Sequence, residues 1–314
     1  MSRSTRGAVQ KRRRRPGRPA RRFLGNDDLF EAAGDRIAHA AFAPHLPGSL
    51  WHYTRWEGLV GILSSRKLWA TDYRTQHTDE LEFRHADSAI LGLARTLAAD
   101  GKLTPWQRQR LATWVDTLQG NPLRKASDRL FITSFCTRGD SKHMWQQFGH
   151  DAQGFAIELE ILREEISMPE FGLMFMEVDY DLTSVVQRLR DVVLRTLDAN
   201  SRILSTNPAR AAWLTERQLW FAGARAAIQC KGASYVNDLE WRRVATVRET
   251  HKGLILDNPR RLEVPIRDHA KLPAVRTIAI GANALPDAEA RIAQLLREQG
   301  YTDESAPRVV RAAP

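Results

Sequence analysis

Cysteine is nearly absent from this chain: Cys136 and Cys230 are the only two in 314 residues. That scarcity excludes a disulfide scaffold and any CxxC zinc or redox site, and it suits a reducing, cytoplasmic setting. Long apolar runs are missing too. None approaches the roughly 20 residues a spanning helix needs, so no membrane partner is expected. No Gly-rich loop precedes a helix, which leaves phosphate-loop and dinucleotide-fold sites unsupported. There is no GxSxG and no HExxH. His77, His85, His143 and His150 lack compact ligand spacing, so no metal is expected.

Acidic residues are absent from residues 1–22, which hold ten arginines and lysines. The whole chain has 47 basic and 37 acidic residues, so the 37 basic residues outside this stretch equal the acids. The net charge of +10 therefore belongs to a tail, and the body is formally neutral. With almost nothing apolar, the tail cannot offset the entropy of ordering, and residues 1–25 read as a disordered basic arm. Such an arm can bind nucleic acid through its phosphates, without sequence preference. A secretory signal is not expected, because Phe23-Leu24 runs straight into Gly25-Asn26-Asp27-Asp28.

The remainder, residues 26–314, reads as one α+β domain. Helical periodicity marks 27–42, 56–63, 79–98, 105–118, a short turn around Met144-Trp145, 182–204, 208–229 and 286–298. Strand patterns mark 49–54, 67–71, 129–136, 154–160, 173–180, 240–246, 261–266 and 275–280. Strands come in clusters between helical blocks, without regular βαβ alternation. That predicts a mixed or antiparallel sheet flanked by helices rather than a doubly wound one.

Four clusters place polar groups beside aromatics at strand ends. In Trp51-His52-Tyr53-Thr54, alternation sends His52 and Thr54 to one face and Trp51 and Tyr53 to the other. An imidazole and a hydroxyl on one face can bind a ligand's hydroxyls or amide; the plainer reading is a core histidine satisfied by backbone. His77-Thr78-Asp79-Glu80-Leu81-Glu82 opens a helix with acids, where capping suffices as explanation. Thr133-Ser134-Phe135-Cys136, followed by Trp145, Phe148-Gly149 and Gly154, can form a pocket wall or simply pack. In Asp238-Leu239-Glu240-Trp241-Arg242, period two groups Asp238, Glu240 and Arg242 opposite Trp241. A carboxylate beside a guanidinium is an ion pair at most sites and an oriented acid at a pocket.

The order of these clusters resembles the bacterial family catalogued as domain of unknown function 2971. The resemblance rests on Leu50-Trp51-His52-Tyr53-Thr54 with Leu59-Val60-Gly61-Ile62-Leu63, Leu68-Trp69-Ala70-Thr71, Thr78-Asp79-Glu80-Leu81-Glu82 and Ser134-Phe135-Cys136. It continues through Trp145-Gln146-Gln147-Phe148-Gly149, Gly154-Phe155-Ala156-Ile157, Asp238-Leu239-Glu240-Trp241-Arg242 and Ile278-Ala279-Ile280-Gly281, so it covers about residues 49–300. Thr78, Phe148 and Asp238 depart from the family's usual Asn, Tyr and Glu.

More distantly, the layout is similar to the ADP-ribosyltransferase superfamily, which implies a split β-sheet core and NAD as co-substrate. By that resemblance Glu240 is the catalytic carboxylate and His52 holds the ribose and amide of NAD. Tyr53 or Ser134 shapes the nicotinamide pocket, with Thr54, Trp145 and Arg242 completing the binding residues. Breaking the bond to nicotinamide passes through an oxocarbenium-like state that a carboxylate stabilises. Removing Glu240 is then expected to cost on the order of 10²–10⁴ in rate and to spare the fold. The implied role is an effector or defence toxin acting on a protein or nucleic-acid acceptor. Two rival expectations stand beside it: a non-enzymatic ligand- or nucleic-acid-binding module, and a hydrolase using Asp79, Glu82 and Glu240.

Overall fold

A computed structural model of the chain describes residues 47–73, 80–119, 128–161, 167–168, 173–248, 254–255, 261–266 and 274–312. The basic arm and the expected helix over 27–42 lie outside these residues, as do His77, Thr78 and Asp79 and the side chains of Glu80–His85.

Short runs rich in apolar and aromatic residues build most of the strands, several of them buried on both faces. They are β1 (Ser49–Thr54), β2 (Lys67–Asp72), β3 (Asp128–Cys136), β4 (Phe155–Glu160), β5 (Ser167–Met168), β6 (Leu173–Glu177), β7 (Glu240–Arg248), β8 (Leu254–Ile255), β9 (Arg261–Pro265), β10 (Val275–Ile280) and β11 (Arg308–Arg311). The helices are α1 (Trp56–Ser65), α2 (Glu80–Ala98), α3 (Pro105–Gln119), α4 (Lys142–Gln147), α5 (Leu182–Ser201), α6 (Pro208–Gln229) and α7 (Ala288–Glu298), with a 3₁₀ turn over Ala233–Asp238. Local chemistry sets several boundaries. Asp181 and Asn207 accept from the backbone at the starts of α5 and α6, and Ser141 does so for α4, supplying acceptors to otherwise orphan amides. Gly300 sits at φ 77° just past α7, a left-handed position where glycine avoids a Cβ clash.

The strands form one mixed sheet in the order β11-β10-β4-β1-β3-β2-β9-β8, with β7 on the other side of β3 and β6 beyond it. The only parallel strand pair among the described residues is β10 with β11. The sheet splits at β3. Cys136 pairs with Trp51 of β1, whereas Ile132 and Phe131 pair with Thr71 and Asp72 of β2. Between them, the Thr133–Phe135 edge has no strand partner among the described residues on that side.

Alternation sorts the two faces. On one, Leu50, Leu68, Phe135, Ile157, Phe175, Trp241 and Ile278 pack under α1 and α7. On the other, Leu130, Ile132, Met176 and Val244 pack under α2, α3, α5 and α6. That second face carries a separate apolar cluster where Trp51, Tyr53, Cys136 and Ala156 meet Met144 and Trp145 of α4. The fold is therefore α+β with a mostly antiparallel sheet flanked by helices, as the strand clustering predicts, and the sheet is split. No helix among the described residues is long and apolar enough to cross a membrane.

Candidate functional site

Between the helix-covered cluster and the α4 cluster runs a seam of polar side chains, on the face that alternation assigns to Glu240 and Arg242. Cys136 stands opposite Glu240 and Ser134 opposite Arg242 in the β3–β7 register. Glu240 is 5% exposed and Arg242 2%. The Ser134 hydroxyl donates to Glu240 Oε1 at 2.6 Å. Arg242 Nε donates to the same oxygen at 2.8 Å and a terminal nitrogen to Oε2 at 3.2 Å. Lys231 Nζ donates to Oε2 at 2.8 Å and to Asp238 Oδ2, also at 2.8 Å. Asp238 Oδ1 meets His143 Nε2 at 2.7 Å. Four donors on one carboxylate fill its acceptor directions.

Backbone shape makes this convergence possible. Leu239, the residue after the 3₁₀ turn, sits at φ 46°, a left-handed conformation costly for a leucine. Asp238 and Glu240 flank that kink, and both reach Lys231. The Glu240 amide donates to the Tyr180 hydroxyl at 2.9 Å.

The electrostatics follow from burial. Loss of water pushes the Glu240 carboxyl above its ordinary value, opposed by the Lys231 ammonium and by hydrogen bonds from Lys231 and Ser134. Burial works against the Lys231 ammonium, yet the Glu240 and Asp238 carboxylates together hold its pKa up. Burial lowers the Arg242 guanidinium to about 9, still charged at neutrality. Burial likewise raises the Tyr180 phenol, keeping it neutral. Two carboxylates and two cations leave this interior formally uncharged.

Two members of the chain reach solvent. Ser134 is exposed, and the His143 side chain is 37% accessible, whereas Lys231, Asp238 and Glu240 show 8% or less. Register places two tryptophans on the face of Ser134, one on each side of the split. Trp51 lies opposite Cys136. Trp69 is two residues from Thr71, which pairs with Ile132, and its carbonyl accepts from the Thr133 hydroxyl at 3.3 Å. Trp69 is 52% exposed, with the Arg261 guanidinium 4.5 Å above its ring. The arrangement offers a hydroxyl–carboxylate pair at a sheet split with an aromatic rim, suited to a polar ligand carrying a flat ring.

No protein-family model, curated protein or solved structure matches the chain. Geometry alone carries the reading.

The expected residues meet this geometry unequally. Ser134 and Glu240 are brought into contact. His52 is not on their face: it stands beside Phe135, with ring centroids 5.8 Å apart, on the side covered by α1 and α7. Its Nδ1–H donates to the Ser134 carbonyl at 3.1 Å, supplying a partner to the unpaired edge of the split. Burial lowers its pKa, against that backbone bond. Pairing His52 with Glu240 across one cleft is corrected accordingly, because the register that lines up Trp51, Cys136 and Glu240 leaves His52 on the opposite face.

Tyr53 and Trp145 do not line an open pocket. Tyr53 is 7% exposed, donates to the Arg138 carbonyl at 2.8 Å and packs edge-on against Trp145 at 5.0 Å. Trp145 is 5% exposed. Thr54 packs against Gly58 and, through its carbonyl, Gly154. Arg242 is spent on Glu240 and the Ile228 carbonyl, so it holds a carboxylate rather than a cofactor. Asp79 and the Glu82 side chain lie outside the described residues.

Sequence reading missed Lys231, Tyr180, Trp69 and the role of His143. Nothing local marks Lys231: its two carboxylates lie seven and nine positions on, around a kink that a leucine gives no reason to expect. Trp69 had a signal, a tryptophan at an outward position of an alternating strand.

Proposed function

We propose that the seam at the sheet split is an NAD-cleaving site, with ADP-ribosyl transfer or hydrolysis as its outcome. The observation that carries this reading is the 2.6 Å hydrogen bond from an exposed serine hydroxyl to a buried glutamate. Ser134 marks the one oxygen of Glu240 with a donor at the solvent boundary. A ribose hydroxyl replacing that donor gives its hydrogen bond to a carboxylate already held in place by Arg242 and Lys231. Cleavage of the C1–nicotinamide bond builds positive charge on the ribose, and a fixed anion beneath it stabilises that charge without reorganising. The exposed Trp69 ring supports the reading as a stacking surface for either ring of a dinucleotide. The split sheet agrees with the resemblance to the ADP-ribosyltransferase superfamily, which is an analogy between folds. His52 then acts by holding β3 at the split rather than by touching ribose.

A second reading has its own support. Glu240 is saturated by four donors, which is how a structural ion pair looks, and it favours a non-catalytic binding module. In that case residues 1–22 supply a salt-dependent attachment to nucleic acid.

NAD consumption and label transfer from radiolabelled NAD separate the two. The enzyme reading expects turnover in the wild type that falls on the order of 10²–10⁴ in Glu240→Gln protein shown to be folded. Equal signal in the two removes the assignment. Absence of NAD turnover, with nucleic-acid binding lost on deleting residues 1–22, establishes the binding module.

A further inference from the structure

We propose that His143 is the general base of this site and that its acceptor is therefore an O–H nucleophile, a hydroxyl or water. The inference rests on the NAD-cleaving reading and names the half of the reaction it leaves open.

The geometry is that of an oriented base. His143 lies in α4, whose neighbouring Met144 and Trp145 are buried in the cluster with Tyr53 and Cys136, so the helix cannot turn. The Ser141 hydroxyl accepts from the Met144 amide and fixes its start. A carboxylate oxygen only accepts, so His143 Nε2 carries the hydrogen donated to Asp238 Oδ1 at 2.7 Å. In the neutral ring that makes Nδ1 the lone-pair acceptor. Asp238 is 4% exposed at its side chain while His143 is 37% exposed. A buried carboxylate behind a partly exposed imidazole is the arrangement that accepts a proton and stabilises the imidazolium formed. Lys231 bridges Asp238 to Glu240 through two 2.8 Å contacts. Base and charge-stabilising acid thus stand at the two ends of one rigid ionic chain.

The step balances. The C1–N bond to nicotinamide breaks first, its electron pair neutralising the pyridinium nitrogen, and the acceptor oxygen then bonds to C1 of the oxocarbenium ion held over Glu240. The acceptor's proton passes to His143 Nδ1, and Asp238 holds the resulting cation. With water the product is ADP-ribose; with a hydroxyl it is an O-linked ADP-ribosyl group. An acceptor that arrives as a permanent cation gives such a base little to do.

The experiment compares full-length wild type with His143→Gln, whose amide can still donate to Asp238. Two rates are read: net consumption of NAD, and exchange of labelled nicotinamide into NAD, which breaks and re-forms the C1–N bond without deprotonating any acceptor. The expected result is consumption lowered about 10²–10⁴-fold in His143→Gln, with exchange retained and consumption partly restored by added imidazole. Product analysis by mass distinguishes free ADP-ribose from an O-linked adduct. Consumption in His143→Gln equal to wild type overturns the base while leaving the NAD reading standing. Parallel loss of exchange and consumption also overturns it, since His143 would then serve the cleavage itself. Neither rate measurable in folded wild-type protein overturns both readings.

Discussion

Replacing Glu240 with glutamine tests whether the polar seam is a built interior or a solvated surface cluster. The carboxylate is 5% exposed and meets Ser134 at 2.6 Å, Arg242 at 2.8 and 3.2 Å, and Lys231 at 2.8 Å. Glutamine keeps the shape and one acceptor oxygen but turns an NH₂ toward two cations and leaves the seam with an unbalanced positive charge. Breaking one side of a buried ion pair costs about 3–5 kcal/mol, because the remaining charge stays desolvated. That is a large fraction of the roughly 5–15 kcal/mol by which folded proteins exceed their unfolded chains. The expectation that this substitution spares the fold is therefore corrected: the burial of Glu240 and its partners makes it a stability mutant first. Urea unfolding followed by fluorescence checks it. With a slope of about 3 kcal/mol/M, the midpoint should fall by about 1–2 M at unchanged slope. The double variant Glu240→Leu/Arg242→Met removes both charges together and should lose less than Glu240→Gln alone. A midpoint shift under about 0.3 M for Glu240→Gln, or a double variant worse than the sum of its singles, would refute the argument from desolvation.

His52 gives a pH signature. Its pKa is lowered in the folded protein by burial, so below its ordinary 6.5 the unfolded chain takes up the proton first. Stability is full above that pH and declines as pH falls; His52→Gln should flatten the decline in urea midpoints between about pH 7 and 5. Gly281 has no room for a side chain, since a Cβ there would lie 2.1 Å from the Ala152 carbonyl oxygen. Gly281→Ala should cost about 1–3 kcal/mol by thermal unfolding, and an unchanged midpoint would contradict that packing. Trp69 is half-exposed, so Trp69→Ala should move stability by no more than about 1 kcal/mol. Under the NAD reading it should weaken NAD affinity by about 10-fold or more in calorimetry, as loss of a stacking ring does. Unaltered affinity would take the ring out of the site.

Most of the described secondary structure was legible because it repeats locally. The apolar spacing of Leu189, Val192, Val193 and Leu197 fixes the buried stripe of α5, and the alternation of Leu130, Ile132 and Ser134 fixes the faces of β3. Opposition of Trp241 to Glu240 and Arg242 was readable in the same way and appears as expected. Short pairings were not legible. β5 and β8 have two residues each, and β11 is a strand because Val309 and Val310 find Ile278 and Ala279.

For the candidate site, sequence determined which side chains could share a face of one strand, since that depends only on backbone period. It joined Glu240 to Arg242, and it could not say that His52 would face the other way. That outcome is set by the antiparallel register, in which Trp51 rather than His52 stands opposite Cys136. Nor could it foresee Lys231 between two carboxylates, or His143 against Asp238 across 95 residues. Ion pairs at such separations carry no local pattern. They form because folding removes water from these charges at once, and each must then find its counter-ion within the seam that the helices and α4 leave between them.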